Sequence, residues 1–395
     1  MPASGSRSCD LDFLTPVRGR NIFLFGGEVR IQWPTPGLSC RARKGTSFPP
    51  KVRGTKETLI KNSVRNRPAA RGSRKWLAWI GILLLLIIGV FAALPFFTPS
   101  VETLAMDGAA RAGTDGEYIA LSDGIVHYEA SGPEGAPSVL FIHGITIPYV
   151  VWDSNFPVVA DAGYRTVRYD LYGRGYSDRL RGIRYDTDLF DRQLLELVGK
   201  LKVKTSLTLV GFSLGGEISV IFAERHPELV KGLILVDPGG FPIPMTAGEK
   251  LLLNLQRLPG VGEYLIRLFG EKMSNPDTQG SDLYDQALLP GYVRRLKGLE
   301  RYKGTLYAWL STIRHFPWEL ESSYRAVGDS RKPVLLVWGK EDRVLPFATT
   351  EKVMAAIPQA ELLAVEEAGH ASHYEKSAVV NAAILSFLRR IAPIS

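Results

Sequence analysis

Residues 205–220 read TSLTLVGFSLGGEISV and are more informative about this chain than any other segment. A β-branched apolar run enters the pattern Gly-x-Ser-x-Gly at residues 211–215, and a helix-forming run leaves it. Glycines on both sides of Ser213 permit a strained turn, which exposes the hydroxyl at a helix N-terminus, where N–H groups stabilise negative charge. The pattern alone is weak, but its strand–turn–helix setting predicts that Ser213 is a nucleophile.

Short apolar runs alternate with helical runs from about residue 118 to the end of the chain. This alternation predicts an α/β fold with a mostly parallel sheet and helices on both faces. Catalytic side chains are then expected at the carboxyl ends of the strands. Strands are predicted at 125–130, 138–143, 165–170, 205–212, 231–237, 332–339 and 360–365, and helices at 186–201, 214–229 and 373–391.

A serine hydroxyl needs a base, and the predicted base is His370 in the segment EEAGHASHYE. It follows the strand predicted at 360–365. The chain order is then serine, acid, histidine, which is the order expected for a nucleophile in this strand–turn–helix setting. His373, one helical turn further on, is the alternative base. The other histidines are given no catalytic role: His127, His143, His226 and His315.

The expected acid is Asp342, in WGKEDRVLP after the strand predicted at 332–339. It would orient His370 and stabilise the imidazolium. Asp237, at the end of an earlier strand, is the alternative, because a triad is defined by geometry and not by position. Asp170, in DLYGRGYSD, is expected to anchor a glycine turn.

Two backbone N–H groups are expected to form an oxyanion hole. One belongs to Leu214, which directly follows the nucleophile. The other is assigned to Ile145, in the loop HGIT that follows an early predicted strand. His143 is then expected to be a buried residue that supports this loop.

Positive charge is concentrated near the N-terminus. Residues 1–75 contain 16 Lys and Arg against 4 Asp and Glu, whereas the rest of the chain is mildly acidic. A basic tail beside an apolar run favours membrane topology over nucleic acid binding. The tail is rich in Gly, Pro, Ser and Arg and is predicted to be disordered. Both cysteines, Cys9 and Cys40, lie in it, so no disulfide framework is expected in the folded domain.

Residues 76–97, WLAWIGILLLLIIGVFAALPFF, contain no charge. Twenty-two helical residues span about 33 Å, enough to cross a hydrocarbon core of about 30 Å. Arg71, Arg74 and Lys75 precede this predicted transmembrane helix, so the positive-inside rule places the N-terminus in the cytoplasm and the catalytic domain on the opposite side. A cleaved signal peptide is the alternative, but its apolar region usually spans about 7–15 residues.

The predicted organisation has a basic disordered tail at 1–75, a transmembrane helix at 76–97 and a linker at 98–117. The core comprises 118–240 and 332–395, and a helical cap is inserted at 241–331. The cap contains two amphipathic stretches, 251–269 and 291–310, and is expected to lie over the strand ends.

Five motifs together resemble the α/β-hydrolase superfamily: HGIT, DLYGRGYSD, GFSLGG, WGKEDRVLP and AGHASHYE, in this order, over residues 116–391. The resemblance implies that fold, with Ser213, Asp342 and His370 in the family's Ser-Asp-His roles. Within the superfamily, the chain is similar to membrane-anchored monoacylglycerol lipase-like and carboxylesterase-like members. It also resembles hydrolases of ring meta-cleavage products, which usually have Trp after the catalytic His, where this chain has Ala371. The family's dehalogenases use Asp as nucleophile, and Ser213 argues against that chemistry.

The expected reaction is hydrolysis of a carboxylic ester, either a small molecule or a lipid such as monoacylglycerol, through an acyl intermediate on Ser213. No metal or organic cofactor is implied, because the sequence shows no ligand cluster. The expected partners are the ester and a membrane. Two alternative reactions use the same scaffold, C–C bond hydrolysis and cofactor-free peroxidation. A further alternative is a non-catalytic, membrane-tethered binding protein.

Overall fold

The computed structural model describes residues 71–203 and 207–394, and in these ranges one eight-stranded sheet forms the centre of the fold. The strands are β1 (Glu117–Ala120), β2 (Ile125–Ser131), β3 (Ser138–Ile142), β4 (Arg165–Tyr169), β5 (Leu207–Phe212), β6 (Val230–Val236), β7 (Val334–Gly339) and β8 (Ala360–Val365). Their order is β1-β2-β4-β3-β5-β6-β7-β8. The pairs β1–β2 and β2–β4 are antiparallel, and the remaining pairs are parallel.

This sheet confirms the predicted fold class. Each predicted strand is present to within two residues of its expected ends wherever the structure describes it. The sequence did not predict β1, which has only four residues, and both of its end residues are exposed.

The described residues form thirteen α-helices, some of which pack on the two faces of the sheet. They are α1 (Arg71–Phe97), α2 (Gly108–Arg111), α3 (Phe156–Asp161), α4 (Thr187–Lys200), α5 (Leu214–Arg225), α6 (Ala247–Arg257), α7 (Val261–Ser274), α8 (Leu289–Val293), α9 (Thr305–His315), α10 (Glu321–Asp329), α11 (Thr349–Ala356), α12 (Ser372–Glu375) and α13 (Ser377–Ile391). Side chains of α4, α5 and α10 pack on one face, and those of α3 and α13 pack on the other.

The central strand β5 explains why the strand segments are continuous apolar runs in the sequence. Leu207 and Leu209 point into the hydrophobic cluster on one face, whereas Val210 and Phe212 point into the cluster on the other. Successive side chains of a strand alternate between faces, so a strand covered on both faces needs apolar residues at nearly every position.

The segment between β6 and β7 is more broken than its sequence pattern predicted. The stretch 251–269 is split between α6 and α7, with Gly260 at φ 79° between them. The stretch 291–310 is interrupted at Gly298 and Gly304, with φ of 100° and 103°. L-residues rarely adopt such φ values, so glycine at these positions lets the chain turn between short helices.

The helix α1 contains the apolar run that precedes the sheet. Its segment Lys75–Leu94 has a mean hydropathy of 2.9, and none of it is buried. By length and composition, this helix is suited to cross a membrane. It begins at Arg71, five residues before the predicted start. The rest of the predicted tail, with Cys9 and Cys40, lies outside the described residues.

Candidate active site

The turn between β5 and α5 holds Ser213 in a strained conformation. Its φ is 52° and its ψ is −120°, which is unusual for a residue with a side chain and costs about 1–3 kcal/mol. A Cβ on Gly211 would lie 2.3 Å from the carbonyl oxygen of Gly215, and a Cβ on Gly215 would lie 2.2 Å from that of Ile142. The two glycines therefore allow the close packing that presents Ser213 at the carboxyl end of β5.

His370 and Asp342 form a buried hydrogen-bonded pair. The Nδ1–H of His370 donates to Oδ2 of Asp342 over 2.8 Å. The other oxygen, Oδ1, accepts the N–H groups of Val344 and Leu345, each at 2.8 Å, and these bonds fix the carboxylate. The His370 ring lies 4.9 Å from the ring of Phe212, the residue before Ser213. The structure thus brings the predicted acid and base together beside the turn that carries the serine.

The pKa of His370 reflects this arrangement. Burial alone would lower it, but the Asp342 carboxylate, through charge and hydrogen bond, outweighs burial and raises the pKa to about 9. Asp237 and Asp282 add to the rise. Negative charge on the Nδ1 side stabilises the imidazolium, which is the form that a general base acquires during catalysis.

Asp237, the alternative acid, has different partners. Its Oδ1 accepts the N–H of Gly339 at 2.8 Å, and its Oδ2 accepts the hydroxyl of Ser372 at 2.6 Å. Burial and the neighbouring Asp342 carboxylate raise its pKa well above the usual range. Asp237 therefore joins the end of β7 to the chain that follows His370, whereas Asp342 holds the His370 ring.

His373, the alternative base, lies in an apolar setting. Its ring packs 4.4 Å from Trp152 and 4.6 Å from Phe212, and burial lowers its pKa to about 3. No carboxylate pairs with it among the described residues. Without an acid to orient it, this ring is poorly suited to act as the base.

The loop predicted to supply an oxyanion donor approaches the serine closely. A Cβ on Gly144 would lie 3.4 Å from the Cβ of Ser213. In the described residues, neither the N–H of Ile145 nor that of Leu214 donates to a protein acceptor. Both donors are therefore available for a ligand next to the serine.

His143 stabilises this loop through two hydrogen bonds of its ring. Its Nδ1–H donates to the carbonyl of Gly144 at 2.7 Å, and its Nε2 accepts the N–H of Leu171 at 2.9 Å. Burial lowers its pKa to about 4, so the ring is neutral at physiological pH. This agrees with the predicted structural role.

A second buried histidine–carboxylate pair lies at the antiparallel side of the sheet. Nδ1 of His127 is 2.8 Å from Oδ2 of Asp170. The same carboxylate accepts the N–H groups of Tyr149 and Tyr176, and a Cβ on Gly175 would lie 2.0 Å from it. Asp170 thus anchors the glycine turn, as predicted, and its histidine partner is an addition that the sequence did not reveal.

The insertion between β6 and β7 contacts the loop that carries His370, and no local pattern in the sequence marks this contact. The N–H of Ala371 donates to the carbonyl of Asp282 at 2.9 Å. Glu375 accepts the N–H of Gly369 at 2.6 Å through one oxygen and that of Tyr284 at 2.8 Å through the other. The loop around His370 is therefore tied to the inserted segment on both sides of the histidine.

A cavity of about 90 Å³ lies next to the loop that is predicted to supply an oxyanion donor. Ile145 and Thr146 line one side, Arg174 and Arg179 line another, and Trp309 of α9 belongs to the inserted segment. Within the described ranges, no group of three or more His, Cys, Asp or Glu side chains is arranged to hold a metal ion.

Comparison with known proteins assigns the class. The model of the α/β hydrolase fold family matches residues 137–377, which is more than half of the chain, and the chain belongs to this family. A relative is the 2-hydroxy-6-oxononadienedioate/2-hydroxy-6-oxononatrienedioate hydrolase of Burkholderia vietnamiensis. It is 31% identical over 67% of this chain and 91% of its own length. The protein is therefore a hydrolase of this fold.

Two solved structures illustrate the range of proteins that share the fold. An esterase from Exiguobacterium antarcticum has a TM-score of 0.56 at 21% identity and covers 70% of this chain and 100% of its own. A membrane phospholipase A has a TM-score of 0.54 at 23% identity and covers 80% of this chain and 99% of its own. At these identities the similarity shows the fold.

Proposed function

We propose that the protein is a serine hydrolase of carboxylic esters, with Ser213 as nucleophile, His370 as base and Asp342 as the acid that orients the base. The observation that carries this proposal is the 2.8 Å hydrogen bond between Asp342 and His370 beside the strained turn of Ser213. The bond uses Nδ1 of the imidazole and leaves Nε2 for proton transfer.

The reaction then runs in two halves. His370 removes the proton of the Ser213 hydroxyl as the oxygen attacks the ester carbonyl, and the imidazolium returns a proton to the leaving alcohol. The N–H groups of Ile145 and Leu214 hold the oxyanion in each tetrahedral intermediate. In the second half, His370 activates a water that releases the acid and restores the serine.

A panel of p-nitrophenyl esters of increasing acyl length tests this proposal. Wild-type protein should turn over at least the short esters, and Ser213→Ala should remove this activity while the fold stays intact. Ser386→Ala, an exposed serine on α13, is the matched control and should retain full activity. Full turnover by Ser213→Ala would disprove the assigned nucleophile.

We propose further that residues 241–331 form a cap over the site. The hydrogen bond between Ala371 and Asp282 and the position of Trp309 in the cavity wall support this role. Cap segments vary freely within such folds and select the substrate, so this part of the chain is expected to set specificity.

The proposed location is a membrane, with α1 as a single-pass anchor. The segment Lys75–Leu94 is long enough to cross, and the basic residues before it favour a cytoplasmic N-terminus and a catalytic domain on the other side. A membrane phospholipase A shares this fold, which is consistent with such an arrangement.

Contacts of the cap support a site close to the bilayer. The Tyr264 hydroxyl on α7 donates to the carbonyl of Phe91 on α1 at 2.5 Å. Leu251 and Leu252 on α6 and Phe269 on α7 are at least half exposed, at 60%, 50% and 52%. Exposed apolar side chains on helices of which one contacts α1 suit contact with lipid, which favours lipid esters as substrates.

Alkaline carbonate extraction and protease protection in sealed vesicles test the anchor and its orientation. Full-length protein should stay with the membrane, and the catalytic domain should be cut only from the side opposite to the N-terminus. Release by carbonate would disprove the anchor, and cleavage from the other side would disprove the orientation.

C–C bond hydrolysis is the second candidate, and the relatives favour it. The Burkholderia vietnamiensis relative is named as a hydrolase of 2-hydroxy-6-oxononadienedioate and 2-hydroxy-6-oxononatrienedioate. Turnover of 2-hydroxy-6-oxononadienedioate can be monitored through the loss of its dienol absorbance. It should be slower than ester turnover if the esterase proposal is right. The reverse order would make the C–C hydrolase the correct assignment.

A further inference from the structure

Two arginines line the cavity next to the oxyanion loop, and both come from the turn after β4. Arg174 is only 5% exposed, and Arg179 is half-buried. The walls around them include the apolar side chains of Leu296, Leu306 and Trp309. Buried cations in an apolar wall need an explanation, because burial of a charge is costly unless the charge is paired.

The hydrogen bonds of the two guanidinium groups go to neutral acceptors. Arg174 donates to the carbonyls of Ile145 and Tyr172, both at 3.2 Å, and to the hydroxyl of Thr312 at 2.8 Å. The acceptors of Arg179 are the carbonyls of Ser177 and Gly175 and the hydroxyl of Thr305, at 2.7, 2.6 and 3.3 Å. A guanidinium has five N–H donors, so each side chain keeps donors that these bonds do not use.

Among the described residues, neither guanidinium is paired with a carboxylate at contact distance, although the charges of Asp170 and Glu102 act on Arg179 from further away. In the part of the chain that the structure describes, no carboxylate lies within 4.0 Å of either guanidinium. Glu300 also lines the cavity and contributes a negative charge there; its Oε2 accepts the N–H of Gly298 at 2.7 Å and not a guanidinium N–H. Burial lowers the pKa of each arginine to about 10, which leaves both charged at physiological pH.

We propose that this cavity binds an anionic group of the substrate, a carboxylate or a phosphate, through Arg174 and Arg179. An oxyanion would supply a counter-charge at contact distance and accept the spare N–H groups in charge-assisted hydrogen bonds. The apolar walls strengthen such bonds, because the local dielectric is low.

The position of Arg174 connects this subsite with the reaction. It donates to the carbonyl of Ile145, whose N–H is the proposed oxyanion donor. Ile145 also lines the cavity, so the same residue borders the proposed anion site and supplies the proposed oxyanion donor. This inference rests on the proposed ester hydrolysis and narrows its substrate class to esters with a negative charge close to the scissile bond.

Two matched substrate pairs test the subsite in the full-length protein in detergent. The first pair is p-nitrophenyl valerate and mono-p-nitrophenyl glutarate, which differ by a terminal carboxylate. The second pair is 1-acylglycerol and 1-acylglycerol 3-phosphate with the same acyl chain. The ratio of kcat/KM for the charged and the neutral member of each pair is measured, and the two pairs distinguish a carboxylate from a phosphate.

We expect wild type to favour the charged member of at least one pair. Arg179→Gln should lower that ratio by about tenfold or more, the effect of one charge-assisted hydrogen bond, and Arg179→Lys should lower it less. Arg184→Gln removes an exposed charge a few residues further along and should keep the wild-type ratio. Equal ratios in wild type and Arg179→Gln for both pairs would overturn the proposal.

Thermal unfolding separates this proposal from the proposed function. Glutarate or inorganic phosphate should raise the Tm of wild type saturably above that in chloride of equal ionic strength, and Arg179→Gln should lose this shift. If no ester is turned over but the shift is present, the proposed function fails and the anion site stands. If esters are turned over, but neither anion raises the Tm and no charged substrate is preferred, the anion-binding proposal is wrong and the proposed function stands.

Discussion

Oδ2 of Asp342 lies 2.8 Å from Nδ1 of His370, whereas the buried carboxylate of Asp237 bonds instead to Ser372 and Gly339. Two acids at neighbouring strand ends thus have separate tasks. One holds the imidazole, and the other holds the backbone on which the imidazole is carried.

The two acids should respond differently to amide substitution. Asp342→Asn should lower kcat by about 10⁴, because the amide no longer stabilises the imidazolium or the required tautomer. Asp237→Asn should have a much smaller effect on kcat, because its hydrogen bonds are to the backbone of Gly339 and the hydroxyl of Ser372. Steady-state rates of both variants on one short ester measure this, and a larger loss for Asp237→Asn would reassign the acid.

The pH dependence should follow His370. The base must be neutral to accept a proton, and carboxylates raise its pKa to about 9, so kcat/KM should increase with pH up to about that value. Removing the negative charge in Asp342→Asn lowers the pKa of the imidazole, so the residual activity should reach its plateau at lower pH. Asp161→Asn, an exposed acid, should leave the profile unchanged. A shift to higher pH in Asp342→Asn would contradict this account.

Gly215 should tolerate no side chain. A Cβ there would meet the carbonyl oxygen of Ile142 at 2.2 Å, so Gly215→Ala should cost about 1–3 kcal/mol of unfolding free energy and displace Ser213. Gly199→Ala on α4 is the control, since nothing lies within 4 Å of its Cβ, and it should be neutral or slightly stabilising. Urea unfolding midpoints measure both effects, and equal midpoints would show that the turn is not tightly packed.

Removal of the α1 anchor should lower activity on membrane lipids but not on soluble esters. A chain that starts at Val101 keeps Glu102, which accepts the N–H of Leu306, and Leu104, which pairs with the Tyr302 region. It should cleave short soluble esters at the full-length rate but lose activity on monoacylglycerol in vesicles, because tethering raises the effective concentration of a membrane lipid only. Equal loss on both substrates would mean that the anchor supports folding. No loss on either would mean that the substrate is soluble.

The strands of the sheet and the meeting of Asp342 with His370 could be predicted, because each rests on a short local pattern and on the chain order of strand ends. Helix ends were less accurate. The helix expected at 214–229 ends at Arg225, shortly before Pro227, and a proline disfavours helix at the residue before it. The helix expected at 373–391 is interrupted at Lys376.

Contacts between distant segments could not be predicted. Two examples are the contact of Asp170 with His127 and that of Glu375 with Tyr284. In both, the partners are far apart in sequence, and no local pattern marks the contact. The same holds for Arg174, which donates to the hydroxyl of Thr312 on α9 at 2.8 Å.

Labelling with a fluorophosphonate probe, followed by mass spectrometry of the tryptic peptides, tests most directly that Ser213 is the nucleophile. The account predicts one adduct, on Ser213, which appears in wild type at the rate at which ester hydrolysis is lost and is absent from Ser213→Ala. An adduct on another residue, or full inactivation without an adduct on Ser213, would contradict it.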